Sequence, residues 1–299
     1  MSKAFIKKEG LALVSLARYL FGLAPGARLK TIDELSSELN LSVGVVQHAL
    51  KTLETASCVT LERRGRNGTL LSNMNYPALL EQADIGNIVC AMPLPYTRLY
   101  EGLASALKAQ FEGYPLYYAH MRGADVRIEC LIDGVYDMAV VSHLAAESYL
   151  RDGKVTAAMM LGAGSYVDGH QLVYRKGEKQ NIRRIGLDSR SPDQRLLTEV
   201  VFAGQDIERI NLPYNESLTR IERGEIDATV WNVTEDLDSL NLVKEPLNHY
   251  PVSIKASEAV LLVRNDDRVI PHLVKTLVNL QQLLAHQQEV KKGTREPSY

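Results

Sequence analysis

The sequence predicts a multidomain protein: an N-terminal winged helix-turn-helix over residues 1–72, a linker over 73–85 and a two-lobed α/β body over 86–299, with lobe 2 at about 170–245. Three observations carry that expectation. Thr31 to Leu70 reads as two short helices followed by a basic hairpin, the texture changes to alternating strand and helix after residue 86, and one stretch of the body recurs further along the chain.

The first element is the run from Leu11 to Ala24. It follows Lys7-Lys8 and precedes Pro25-Gly26, the outline of a secretory leader, but Glu9 and Arg18 break the outline and an amphipathic first helix is expected instead. Thr31 and Glu34 then stand three apart, as a capping box requires, and open a helix with Ile32, Leu35 and Leu39 on one face. Asn40 suits the left-handed turn that ends it, Leu41 is an apolar plug, and Ser42 is an N-cap for a second helix whose Val46, Ala49, Leu50 and Leu53 share a face. Val59 to Glu62 and Thr69 to Leu71 read as strands around Arg63-Arg64-Gly65-Arg66-Asn67-Gly68, a turn-forming tip with three arginines.

These residues resemble the GntR-type winged helix-turn-helix, whose pattern Ser42, Val46, Ala49, Leu50, Leu53, Glu54, Arg64, Gly65, Arg66, Gly68 and Thr69 match. The resemblance covers about the first 70 residues and implies double-stranded DNA as a partner. Thr31, Ser42, Val43, Gln47, His48, Lys51, Arg63, Arg64, Arg66 and Thr69 are the candidate contacts, with Gln47, His48 and Lys51 towards the groove and the wing arginines towards phosphates. The sequence departs from the pattern around Asp33, and again at Val43 and Gln47, where the family has arginines. Charge agrees with a nucleic-acid head: ten Lys/Arg against six acids over residues 1–72 leave +4 there, and −6 for the rest of a chain whose net charge is −2.

Leu71 to Gly86 reads as a linker containing a short helix, Ala78 to Ala83. Strands are expected at Asn87 to Met92, Leu116 to His120 and Asp137 to Val141, with helices at Thr97 to Phe111 and Val126 to Ile132. Leu131 to Val141 then aligns with Ile221 to Trp231: in both, a helix stops at a glycine, an aspartate follows three residues later and an apolar strand begins. Gln171 to Arg175 leads into the second copy and Ala259 to Arg264 returns to the first. Two such lobes resemble the type 2 periplasmic binding protein fold, also used as the effector domain of LysR-type regulators. A GntR-like head on such a body looks like the YhfZ family of candidate regulators.

The chemistry expected of the body is binding. The seven histidines have no metal-ligand spacing, no nucleophile elbow or Walker loop occurs, and Gly162-Ala163-Gly164 lacks the third glycine of a dinucleotide loop, so no catalytic residue, metal or cofactor is expected. In open α/β sheets, ligands lie beyond the carboxyl ends of the strands. The loops there supply Tyr96, Thr97 and Arg98; Ser142 and His143; Ser189, Arg190 and Ser191; and Trp231 with Asn232. Hydroxyls, an imidazole, an amide and arginines with few carboxylates favour an anionic or polyhydroxy metabolite.

Cys58, Cys90 and Cys130 are scattered and odd in number, which suits a reducing cytoplasm, and no run approaches a membrane span. Val269 to Lys292 reads as one helix with Leu273, Leu277, Leu280 and Leu284 on a face that would pack on the body or form a homodimer seam; the tail from Lys291 is expected to fray. The reading is a DNA-binding regulator responding to a small metabolite. A solute-binding protein without a DNA role and, third, an enzyme on the same fold are the alternatives.

Overall fold

The computed structural model describes residues 8–232, 237 and 240–299. The chain forms two compact units. One runs up to Ile88 and takes in Gly113–Pro115 and Asp266–Thr276; the other comprises Val89–Glu112, Leu116–Asn265 and Leu277–Tyr299.

In the first unit, helix α1 (Lys8–Phe21) buries Ala12, Leu16, Ala17, Leu20 and Phe21, the three-to-four spacing of an amphipathic helix. Helix α2 (Ile32–Leu39) carries the full capping box: the Glu34 N–H donates to Thr31 Oγ1 at 3.2 Å, and the Thr31 N–H to Glu34 Oε2 at 2.6 Å. Asn40 closes it in the left-handed region, φ 54°. Helix α3 (Val43–Thr55) buries Val46, Ala49, Leu50 and Leu53, four apolar side chains worth about 1.5–3 kcal/mol each for the larger ones. Strands β1 (Val59–Arg63) and β2 (Thr69–Met74) form the antiparallel wing, with a single 3₁₀ turn, Gly65–Asn67, at its tip. The second strand is longer than expected: residues 73 and 74, placed in the linker, pair with β1 through Asn73↔Thr60 and Met74↔Val59, and Ser72 is passed over by a register shift. Asn75 then caps α4 (Tyr76–Gln82), and the Tyr76 hydroxyl lies 3.3 Å from His272 Nε2, on a helix that returns to this unit from near the chain's end.

The second unit holds both lobes. Lobe 1 contains β3 (Ile88–Met92), α5 (Arg98–Gln110), β4 (Leu116–His120), α6 (Ala124–Ile132), β5 (Met138–Ser142), α7 (His143–Arg151) and β6 (Val155–Met160). The chain crosses into lobe 2 for β7 (Gln171–Arg175), β8 (Arg184–Leu187), α8 (Pro192–Val201), β9 (Glu208–Asn211), α9 (Ser217–Glu222), β10 (Ala228–Trp231) and β11 (Leu242–Pro246). After α10 (Pro251–Ser257) it returns through β12 (Ala259–Arg264) and ends in α11 (Val269–Leu277) and α12 (Leu280–Lys291).

The sheet orders are β4-β3-β5-β12-β6 and β9-β8-β10-β7-β11. They match position for position: in each, the strand arriving from the other lobe lies antiparallel in fourth place, as β12 does against β5 and β7 against β10. This is the two-lobed α/β topology of type 2 periplasmic binding proteins. The sequence repeat marks equivalent junctions. Gly134 and Gly224 both take positive φ, 73° and 71°, and Asp137 and Asp227 each tie the start of their strand to the neighbouring one. The Val89 N–H donates to Asp137 Oδ2 at 2.9 Å, and the Arg184 N–H to Asp227 Oδ2 at 2.7 Å. Each lobe has its own apolar core, around Ile128, Val141 and Leu262 in the first and Ile185, Leu197 and Val230 in the second.

The expected single helix from Val269 to Lys292 is two. The Asn279 side chain accepts from the Gln282 N–H at 3.1 Å and starts α12 afresh, so Leu273, Leu277, Leu280 and Leu284 do not form one stripe. Helix α12 instead packs on α5, where Gln287 Nε2 donates to the carbonyls of Leu99 and Ser165 at 3.0 and 2.7 Å. Nor does the tail fray, since the Tyr299 ring lies 6.0 and 5.8 Å from those of Tyr118 and His120.

Candidate functional site

Two places concentrate polar groups. On the head, Val43, Gln47, His48 and Lys51 are exposed along α3, and Ser42 precedes them without a side-chain capping bond. Thr31 is occupied by its cap and Thr69 starts β2, its carbonyl accepting from the Leu29 N–H at 2.9 Å. The wing arginines differ from one another. Arg63 makes a paired contact with Glu54 and Arg64 with Glu62, at 2.8 and 3.0 Å for the latter, whereas Arg66 has no carboxylate in ion-pair range among the described residues. Arg28, which sequence reasoning missed, pairs its backbone with Leu70 and lays its side chain beside Gly68, where a Cβ would stand 2.7 Å from Arg28 Nε.

In the body, a cavity of about 360 Å³ lies between the lobes at the carboxyl ends of β3, β4, β8 and β10. Of the residues expected there, Tyr96, Thr97, Ser191, Trp231 and Asn232 line it. Thr97 and Ser191 occupy equivalent places in the two lobes, capping α5 and α8 by accepting from the Tyr100 and Gln194 N–H groups. The other five do not line it. Arg98 turns to Glu101 and Glu296, and His143 Nδ1 lies 2.8 Å from a Glu258 carboxylate oxygen. Ser142 is fully buried, its hydroxyl capping α7 and donating to Asp193 Oδ1 at 2.6 Å. Ser189 and Arg190 are exposed, and their N–H groups donate to Asn211 and Asp188.

Residues 75–299 match a model of the YhfZ C-terminal domain, and residues 24–71 a model of a helix-turn-helix domain. The chain belongs to the YhfZ family. It is 56% identical to the uncharacterized protein YhfZ of Escherichia coli (strain K12) over the full length of both chains. It is also 57% identical to YhfZ from Shigella flexneri, whose crystal structure it matches with a TM-score of 0.68 over 75% of this chain and 98% of that one.

In this member of the YhfZ family, the cleft residues that the sequence did not single out include its charged ones. Arg122, at the end of β4, reaches across to Asp188, at the end of β8, with Nε and Nη2 at 2.8 and 2.5 Å from Oδ2. Arg195 of α8 lies 3.3 Å from Asp125 of α6, and the Ser142–Asp193 bond makes a third link between the lobes. Asp188 and Asp193 both line the cavity, so the expectation of few carboxylates is corrected. Asp188 lies in the loop whose hydroxyls drew attention and Asp193 in the first turn of the helix that follows it; which side chains turn inward there depends on how β8 and α8 meet. Burial pushes the Asp193 carboxyl up to about 7 against the lowering effect of Ser142 and Arg127, and pushes His170, which also lines the cavity, down to about 4. Among the described residues no three His, Cys, Asp or Glu side chains are grouped to hold a metal ion, and no helix is long and apolar enough to cross a membrane.

Proposed function

We propose that this chain is a transcription regulator of the reducing cytoplasm that binds double-stranded DNA through residues 1–72 and a small polar metabolite between the lobes of residues 86–299. One observation carries the reading. A winged helix-turn-helix with an exposed Val43, Gln47, His48 and Lys51 face stands on the same chain as a cavity lined by buried polar groups of two lobes. Neither part has a use for the other in a simple solute carrier, whereas a ligand that draws the lobes together can alter where a paired head sits on DNA.

A head of this size reads only a few base pairs, so the working form is a homodimer on two half-sites about one helical turn, or a multiple of it, apart. Selection of genomic fragments by the full-length protein, followed by footprinting, tests this. Paired protected half-sites are expected. Metabolite binding by a chain with no sequence preference for any fragment would leave the solute-binding alternative standing instead.

A further inference from the structure

The cleft contains a buried basic and a buried acidic side chain on opposite lobes, and among the described residues neither has an ionic partner. Arg127 of α6 is 3% exposed. Its Nε donates to the Val140 carbonyl at 3.1 Å, Nη1 to the Met121 carbonyl at 2.7 Å and Nη2 to the Tyr166 hydroxyl at 2.9 Å. These acceptors are neutral, and two of the five N–H donors of a guanidinium remain. Asp193 of α8 is 8% exposed; one carboxylate oxygen accepts from Ser142, the other has no donor, and no cation stands in ion-pair range among the described residues. Both side chains line the same cavity, and they do not pair with each other. A third unsatisfied group lines it with them: His170, 6% exposed, whose Nδ1 has no hydrogen-bond partner.

Buried charges in folded proteins are compensated, because an uncompensated one forfeits its hydration for nothing. Here the compensation is missing on both sides of one gap, with the negative group needed at lobe 1 and the positive group at lobe 2. We propose that the cleft takes a small zwitterion, an aminocarboxylate whose carboxylate meets Arg127 and whose ammonium meets Asp193, bridging the lobes. His170 Nδ1 gives it a further polar contact. Trp231, Leu218 and Met121 in the same lining pack its carbon frame. The proposal rests on the reading of this cleft as the effector site. It replaces the simple anion or polyol expected from loop composition, which would satisfy Arg127 and leave Asp193 bare.

Ionisation supplies an independent signature. The groups around Asp193 are Ser142, Arg127 and the mutually paired Asp125 and Arg195, and in their company burial leaves the carboxyl partly protonated near neutral pH. An ammonium group arriving there favours the ionised form, so binding at pH 7 releases protons.

The test uses the full-length protein in calorimetry and thermal-shift assays with the common amino acids, β-alanine and γ-aminobutyrate. Each hit is compared with its matched carboxylic acid lacking the amine and its matched amine lacking the carboxylate, and glucose and inorganic phosphate serve as unrelated probes. At least one aminocarboxylate is expected to bind, at least tenfold tighter than either truncated analogue, with proton release seen as a buffer-dependent heat. Asp193→Asn, which keeps an oxygen for Ser142, should lose that tenfold preference over the carboxylic acid while melting like the wild type. Arg127→Lys, which keeps the charge, should weaken the aminocarboxylate and the carboxylic acid alike. A ligand of another class that binds the cleft and changes DNA affinity would overturn the zwitterion and leave the regulator intact. Absence of binding across the whole panel would overturn the zwitterion too, and an unchanged tenfold preference in Asp193→Asn would do the same.

Discussion

Asp227 offers a quantitative test of how lobe 2 is held together. The carboxylate is 7% exposed and stands at the junction of three strands. Oδ2 accepts from the Arg183 and Arg184 N–H groups at 3.0 and 2.7 Å; Oδ1 accepts from Arg184 Nη2 and Arg175 Nη2 at 2.7 and 3.1 Å. Burial alone would raise its pKa, but these four donors outweigh burial and hold it at about 2 instead of the ordinary 3.8. The drop corresponds to about 2 kcal/mol of folding stability. Because the folded value lies below the unfolded one, that contribution is complete above about pH 4 and disappears as the pH falls through about 2. Asp227→Asn cannot accept from two arginines and two amides at once, so it should cost about 2–3 kcal/mol at pH 7. Trp231, the sole tryptophan, ends the adjoining strand β10, so its fluorescence in urea follows lobe 2 in particular. The gap between wild type and variant should narrow to below about 1 kcal/mol at pH 2, where the native carboxylate takes up its proton as well. A variant matching the wild type at pH 7, or lying as far below it at pH 2 as at pH 7, would refute the reasoning.

The wing makes a second prediction. Arg66→Ala should reduce the slope of log affinity against log salt by about 0.9, the loss of one phosphate contact, while Arg64→Ala changes it less because Glu62 already holds that guanidinium. Glu62→Gln should then steepen the slope by releasing Arg64, and equal slopes for the Arg64→Ala and Arg66→Ala variants in filter binding would contradict this. At the α5–α12 contact, a methyl on Gly102 would stand 2.8 Å from the Gln287 carbonyl oxygen and 3.1 Å from its Cα. Both are backbone atoms and cannot swing away. Gly102→Ala should therefore cost about 1–3 kcal/mol in thermal or urea unfolding, and an unchanged melting temperature would mean that the helices are not held this close.

Much of the architecture was legible because its signals are local. The Thr31 capping box, the Asn40 turn and the two Gly-x-x-Asp junctions each depend on residues within a few positions of one another, and the run Leu116–His120 marked a strand with the bounds that β4 has. Periodicity misled where a break was made by one side chain: Leu273, Leu277, Leu280 and Leu284 keep helical spacing straight through the point at which Asn279 starts a new helix. Strands β6 and β11, VTAAMM and LVKEP, carry too few β-branched or aromatic residues to stand out. In the cleft, the residues that capping chemistry exposes, Thr97 and Ser191, were visible in the sequence. Arg127 and Asp193 lie within helices, 66 positions apart, and only the meeting of two lobes gives them a common cavity.

The route of the chain also sets an order of events during synthesis. Strand β12 lies between β5 and β6, yet it is made only after all of lobe 2. At about 5–20 residues per second, the facing edges of β5 and β6 wait on the order of ten seconds for the strand that closes them. Lobe 2, by contrast, draws its sheet from one uninterrupted stretch, Gln171 to Pro246, and has every strand it needs before β12 leaves the ribosome. The half that begins first is therefore finished last, and during that wait unpaired apolar strand edges such as those of Val140 and Val141 depend on chaperones, or on lobe 2 folding quickly beside them, to escape pairing with a neighbouring nascent chain.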